Sequence, residues 1–168
     1  MSERARIRSQ EADIAEIAAV VRTFFAAFVS GPDCVPRLEA LRELFLPAAV
    51  IVRTCGGTPA VHDIDGFIAP RRELLLGGTL DDFSEWEVSG HTQVFGDVAQ
   101  RLCTYAKAGD QHGQPFTARG MKVLQFVHTP AGWRISAAAW DDEREGLSVP
   151  PDAGTGETER ARTSSSRP

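Results

Sequence analysis

The chain is sparing with the residue types that announce particular chemistries: 3 cysteines, 1 tyrosine and 2 methionines in 168 residues. Cys34, Cys55 and Cys103 are odd in number and no two stand in a CxxC spacing, which speaks against a disulfide framework and against a zinc site. No apolar run approaches the roughly 20 residues of a membrane span. The opening MSERARIRSQ lacks the apolar centre of a signal peptide. There is no surplus of positive charge either. A net charge of −5 disfavours a phosphate backbone as partner, and the few clustered arginines are not interleaved with aromatics. A nucleophile elbow, a P-loop, an HExxH helix and a dinucleotide fingerprint are all missing. Gly56-Gly57-Thr58 and Gly77-Gly78-Thr79 read as turns. These absences lead us to expect a cytoplasmic protein with no metal, no cofactor, no nucleic-acid partner and no membrane partner.

What is present is an ordinary globular composition, 42% hydrophobic and 24% charged. The length has room for one domain and a tail. We expect a flexible N-terminus over residues 1–9, a single domain over 10–148 and a disordered tail over 149–168. In that last stretch PDAGTGETERARTSSSRP holds too few apolar groups to offset chain entropy.

Within the domain the hydrophobic period identifies the elements. Ile14, Ile17, Val21, Phe24, Phe25 and Phe28 recur at helical spacing until Gly31-Pro32. Pro36 suits the first turn of a second helix carrying Leu38, Leu41 and Leu44, with Pro47 closing it. AVIVRT over 49–54 is a β-branched strand, and CGGTP turns it into a shorter one ending near His62. Asp63 caps a third helix, in which Pro70 predicts a kink or a break. After Asp82 the period changes to 2. Residues 83–95, 98–108, 116–128 and 133–142 read as an antiparallel meander, with tight turns at Gly96-Asp97 and 129–132 and a longer glycine-rich loop over 109–115. Helices first and a meander last predict an α+β fold, helices packed on a strongly curved antiparallel sheet around a pocket.

Alternation sorts the strand residues by face. Pairing His128 with Trp133 sets Arg119 opposite Asp142, Met121 opposite Trp140 and Gln125 opposite Ser136. Placing Tyr105 beside Arg119 then gathers Trp86, Tyr105, Arg119, Met121, Gln125, Trp140 and Asp142 on one face, an aromatic wall with convergent polar groups of the kind that lines ligand pockets. His62, ahead of the third helix, is expected at the cavity mouth, where a histidine could titrate near neutrality. Leu124, Phe126 and Ile135 would then lie on the outer face and predict a homodimer.

Two early helices, a strand pair, a third helix and a meander closing on GWRISAAAWDDER resemble the nuclear transport factor two-like superfamily, also called SnoaL-like or cystatin-like, over residues 11 to about 146. The segments FIAPRRELLLGGTLDDF and FGDVAQRLCTYAKAG are similar to stretches of bacterial members. The resemblance implies a cone-shaped α+β domain. The superfamily holds isomerases, dehydratases, cyclases and hydrolases beside non-catalytic binding and assembly domains, so fold leaves function open. Two readings follow. One is a cofactor-independent dehydratase or isomerase on a small apolar metabolite, with Tyr105 and Asp142 as catalytic groups and Trp86, Arg119, Met121, Gln125, Trp140 and His62 around the ligand. The other is a non-catalytic module that binds a small molecule or dimerises.

Overall fold

The computed structural model describes residues 8–151. Most of the expected flexible N-terminus and of the expected disordered tail, residues 1–7 and 152–168, lies outside the described residues. Three helices, α1 (Gln10–Ala26), α2 (Cys34–Leu44) and α3 (Ile64–Leu76), accompany strands β1 (Phe45–Arg53), β2 (Ala60–His62), β3 (Leu80–Phe95), β4 (Val98–Gln111), β5 (Gln114–Thr129) and β6 (Gly132–Asp142). The strands form a six-stranded sheet in the order β2-β1-β6-β5-β4-β3. The fold is α+β as expected, and the meander is antiparallel, but β1 runs parallel to β6 and makes the sheet mixed.

Each helix starts and stops for a local reason. Ser9 caps α1 by accepting from the Ala12 N–H at 3.1 Å. The face carrying Ile17, Val21, Phe24 and Phe25 turns to the sheet. Asp13, on the same helix, is buried as well. Its carboxylate receives the Trp133 indole N–H at 3.0 Å and the Arg8 guanidinium at 2.9 Å. Burial on its own would raise this carboxyl, yet those hydrogen bonds hold its pKa below the usual range. Asp63 caps α3 through the Gly66 N–H at 2.7 Å. Pro70 does not break α3: the helix runs through it as one element, a proline tolerated at the expense of one backbone hydrogen bond.

The connection between β4 and β5 also differs from expectation. Both strands run on to Gln111 and Gln114, and the chain reverses over His112-Gly113, with φ of 53° and 76°. Two left-handed residues in succession match the twist of the flanking strands. Gly109 belongs to the strand rather than to a loop. A Cβ there would come within 3.0 Å of the Asp81 carbonyl oxygen and the Phe83 backbone.

Register decides what each face carries. Phe95 opposite Val98 and His128 opposite Trp133 stand as expected. Between Gln125 and Phe126 the pairing shifts by one: Phe126 faces Ile135 while Gln125 faces Ala137. Ser136 is the extra residue of a β-bulge. Beyond it Lys122 pairs with Trp140, Met121 with Asp141 and Gly120 with Asp142. A second shift between Glu87 and Ser89 sets Tyr105 opposite Glu87 and leaves Trp86 opposite Ala106. The helix-covered face therefore bears Glu85, Glu87, Cys103, Tyr105, Lys122, Leu124, Phe126, Trp140 and Asp142. Arg119, Met121, Gln125 and Trp86 point the other way. Leu124, Phe126 and Ile135 are buried in the core, which corrects their expected place on an outer interface.

Gly120 fits between Tyr105 and the end of β6. A Cβ there would strike the Tyr105 hydroxyl and the Asp141 carbonyl oxygen. Gly120→Ala is expected to destabilise the domain by about 1–3 kcal/mol, the usual penalty of overpacking. Urea denaturation reads the loss, and an unchanged midpoint would mean that Tyr105 yields without cost.

Candidate ligand-binding site

A cavity of about 550 Å³ opens between α3, the β1–β2 pair and the helix-covered face of β3–β6. Its walls divide by chemistry. Phe28, Phe67, Phe83, Phe116 and Trp140 supply the aromatic surface, with Pro70, Leu74, Leu75 and Leu80 beside them. The charged groups at its edge are Arg53, Arg71, Lys107, Lys122 and Glu85, with His62 near them. The volume lies within the usual range for small-molecule sites, about 300–1,000 Å³.

Lys122 is the least expected of these groups. It is buried, with Nζ 2.7 Å from Glu85 Oε1 and 4.0 and 4.6 Å from the ring centroids of Tyr105 and Trp140. A buried ammonium persists when a counter-ion and π-faces replace its water. Glu85 Oε1 has no aligned hydrogen-bond donor despite that proximity, so the pair is a charge contact with a lone pair left over.

Below this pair lies the network that the sequence anticipated only in part. Tyr105 is 0% exposed, and its hydroxyl donates to the Asp142 carboxylate. Lys107 completes the group, with Nζ 2.9 Å from Asp142 Oδ2 and 3.1 Å from Oδ1. Tyr105 and Asp142 thus do meet. Neither, however, is among the residues lining the cavity, and the cation at Asp142 is Lys107, not Arg119. Burial raises the Tyr105 pKa, reinforced by the Asp142 carboxylate, so the phenol stays a hydrogen-bond donor.

Arg71 enters from α3. Its guanidinium carbon stands 3.6 Å from the Phe67 ring centroid and 5.3 Å from that of Trp140. It donates to the Phe67 carbonyl oxygen at 3.1 Å. Burial lowers its pKa to about 10, a measure of how little water solvates it.

Trp140 and His62 line the cavity as expected. Arg119 and Gln125 are exposed on the far face, Met121 is there too, and Trp86 is 45% exposed beside Ala106. Lys122 shares a stripe with Leu124 and Phe126, expected on the outer face once Tyr105 is set beside Arg119; Tyr105 pairs instead with Gly120, and the stripe turns inward. Arg71 was hidden differently, because it stands next to Arg72 in one of the clustered arginine groups and no sequence signal separates the two. Among the described residues no group of three or more His, Cys, Asp or Glu side chains could hold a metal ion. None of the described helices is long and apolar enough to cross a membrane.

Three solved structures place this architecture. A protein from Kribbella flavida aligns with a TM-score of 0.68 at 14% identity, covering 81% of this chain and 94% of that one. An NTF2-like protein with a cystatin-like fold from Novosphingobium aromaticivorans aligns at 0.62 and 20% identity, covering 79% and 82%. A proposed dehydratase of the NTF2-like family from Streptomyces avermitilis aligns at 0.63 and 16%, covering 80% and 99%. No protein-family model matches the sequence, and no curated protein is similar to it.

Asp142 offers a test of the network. Burial would raise its pKa, but the hydrogen bond from Tyr105 and the ammonium of Lys107 outweigh that and lower it. A depressed folded pKa stabilises the protein above the unfolded value, near pH 4. That contribution is lost as pH falls through the folded value. The stability gap between wild type and Asp142→Asn should be full near pH 7 and shrink below about pH 4. A gap that persists undiminished near pH 3 would show that the charge of Asp142 is not what the network uses.

Proposed function

On the NTF2-like, cystatin-like fold that this chain shares with those structures, we propose that the protein binds a small organic molecule in the cavity between α3 and the sheet. The observation that supports it is the cavity itself. Five aromatic rings and a set of convergent charges surround about 550 Å³, where a purely structural core would close on its own side chains.

A second reading, acid–base turnover without a cofactor, is supported by Glu85. It is the one carboxylate on the cavity wall, and its buried Oε1 lacks an aligned donor, which leaves a lone pair able to take a proton from a bound molecule. Lys122 beside it would stabilise charge developing on a substrate oxygen. Isomerisation would need no more than this, and in a dehydration the proton taken by Glu85 would be returned to the departing hydroxyl so that it leaves as water. Tyr105 and Asp142 then act from behind, by holding Lys107 in place. Both readings meet in one experiment. The apolar ketone 2-tetralone should bind saturably, one molecule per chain, by calorimetry, and Ala60→Trp, which fills the cavity from β2, should abolish binding. Exchange of its α-protons with solvent deuterium, followed by NMR, should be accelerated by wild type and not by Glu85→Gln. Binding indifferent to Ala60→Trp would remove the cavity as the site, and binding without exchange would leave a non-catalytic module.

The opposite face of the sheet supports a second copy of this chain as partner. The row Val52, Ala139, Val123, Leu102 and His91 crosses five strands in register. Val50, Trp86, Val88, Val98, Leu102 and Val123 on that side are all at least 40% exposed. An exposed apolar face of this kind can pair with itself about a two-fold axis. Leu102→Lys should turn a dimer into a soluble monomer in light scattering. A wild type already monomeric at micromolar concentration would refute the pairing.

A further inference from the structure

Four cations reach the cavity, and they are not equivalent. Lys107 is neutralised by Asp142 at 2.9 Å and Lys122 by Glu85 at 2.7 Å. Arg53 and Arg71 have no carboxylate within 4.0 Å among the described residues. Glu85 attracts Arg71 only from beyond that distance, and Arg53 is near enough to repel it. Arg71 is not a long side chain escaping to water: it is half-buried, packed on the face of Phe67 at 3.6 Å, and one hydrogen bond, to the Phe67 carbonyl, occupies a group with five donors. A desolvated guanidinium beside a second cation and with no anion of its own is an unfavourable arrangement in the empty protein. Packing on the Phe67 ring restrains the guanidinium, and a guanidinium fork suits bidentate binding of a carboxylate.

Resting on the small-ligand reading above, we propose that the molecule this cavity takes is an organic acid. Its carboxylate docks on Arg71, with Arg53 as the second cation, and its flat apolar body lies along Trp140, Phe67 and Phe83. The ring surfaces accept the body without hydrogen-bond demands, so selectivity comes from the charge. Because Lys107 and Lys122 already have partners, the acid sits at the α3–β1 side of the cavity and not at its floor.

The test compares 2-naphthoate with its neutral isostere 2-naphthamide, by calorimetry and by thermal shift on the full chain near pH 7. Wild type should bind the acid at least ten-fold more tightly than the amide. Arg71→Met should erase that preference while still binding the amide, and Arg71→Lys should retain only part of it, because an ammonium lacks the fork. A readout independent of the probe comes from the empty protein. Arg71→Met should not lower its Tm, since the substitution removes a charge that nothing in the chain compensates, while 2-naphthoate should raise the Tm of wild type and not of Arg71→Met. Equal affinity of wild type for acid and amide would overturn the organic-acid assignment and leave the small-ligand reading standing. Failure of both probes and of 2-tetralone would overturn the two together. A large drop in the Tm of empty Arg71→Met would show that Arg71 is a structural group and would overturn the assignment by itself.

Discussion

Two β-bulges govern the chemistry of this protein. Because side chains alternate along a strand, one extra residue moves every subsequent side chain to the other face. The extra residue at Ser136 brings Lys122 into register with Trp140 and Gly120 into register with Asp142. The shift between Glu87 and Ser89 does the same for β3, turning Glu85 and Glu87 toward the helices and Trp86 away. Without the first, Trp140 and Asp142 would turn away from the face that carries Lys122 and Tyr105. Without the second, Glu85 would be absent from the face where Lys122 is buried. The ion pair at 2.7 Å depends on the second bulge, while the Trp140 ring beside Lys122 and the bond from Tyr105 to Asp142 depend on the first.

That dependence has an energetic side. Burying an ammonium and a carboxylate costs several kcal/mol per ion before their attraction is counted, and the pair is a net gain only with good geometry and further partners. Here the aromatic rings of Tyr105 and Trp140 are those partners for Lys122, while Glu85 keeps an unmatched oxygen. Elsewhere the same face is more fully satisfied. Arg101 holds Glu87 through two bonds of 2.8 and 2.6 Å and Thr92 at 2.6 Å, and Gly90 leaves room for it, since a Cβ there would meet the guanidinium at 2.6 Å. Among the described residues two buried side-chain oxygens lack a hydrogen-bond partner, Thr104 Oγ1 away from the cavity and Glu85 Oε1 on its wall, and only the second is placed where a bound molecule would be able to complete it.

How much of this was legible in the sequence follows from the same physics. Element order was legible, because periods of 3.6 and 2 survive any register and the caps at Ser9 and Asp63 are local signals. The pairs at the tight turns were legible too, since the turn type fixes them. Neither bulge announces itself: Ser136 leads into Ala137-Ala138-Ala139, whose small side chains mark no face, and around Val88 the only irregularity is Gly90 two residues on. The face assignment held on β4, inverted on β3 beyond its bulge, and inverted along β5 and the start of β6, because Tyr105 pairs with Gly120 and not with Arg119; past Ser136 the bulge returned Trp140 and Asp142 to the expected face. Trp140 and His62 were expected at the cavity and line it. Tyr105 and Asp142 were expected together and are bonded. Arg119, Met121 and Gln125 lie on β5 within the inverted stretch, Trp86 lies beyond the bulge in β3, and all four fell on the wrong face. His112 misled in another way, because a left-handed histidine at a two-residue turn reads as part of a loop.

The helix that carries Arg71 explains why the cavity stays open on one side. α3 lies against the sheet through Phe67, Ile68 and Leu75, while Pro70, Arg71 and Leu74 face the gap. Proline at this point presents a rigid apolar surface and withdraws one backbone donor. Arginine at the next position is stiffened by its stacking on Phe67 and by its bond to the Phe67 carbonyl one turn earlier. The Phe67 ring meets Trp140 edge-on at 5.8 Å, and Trp140 in turn roofs Lys122. Arg71, Phe67, Trp140 and Lys122 thus form one row of packed groups from α3 to the buried ion pair. The cation that α3 carries and the buried ion pair on the sheet border one cavity.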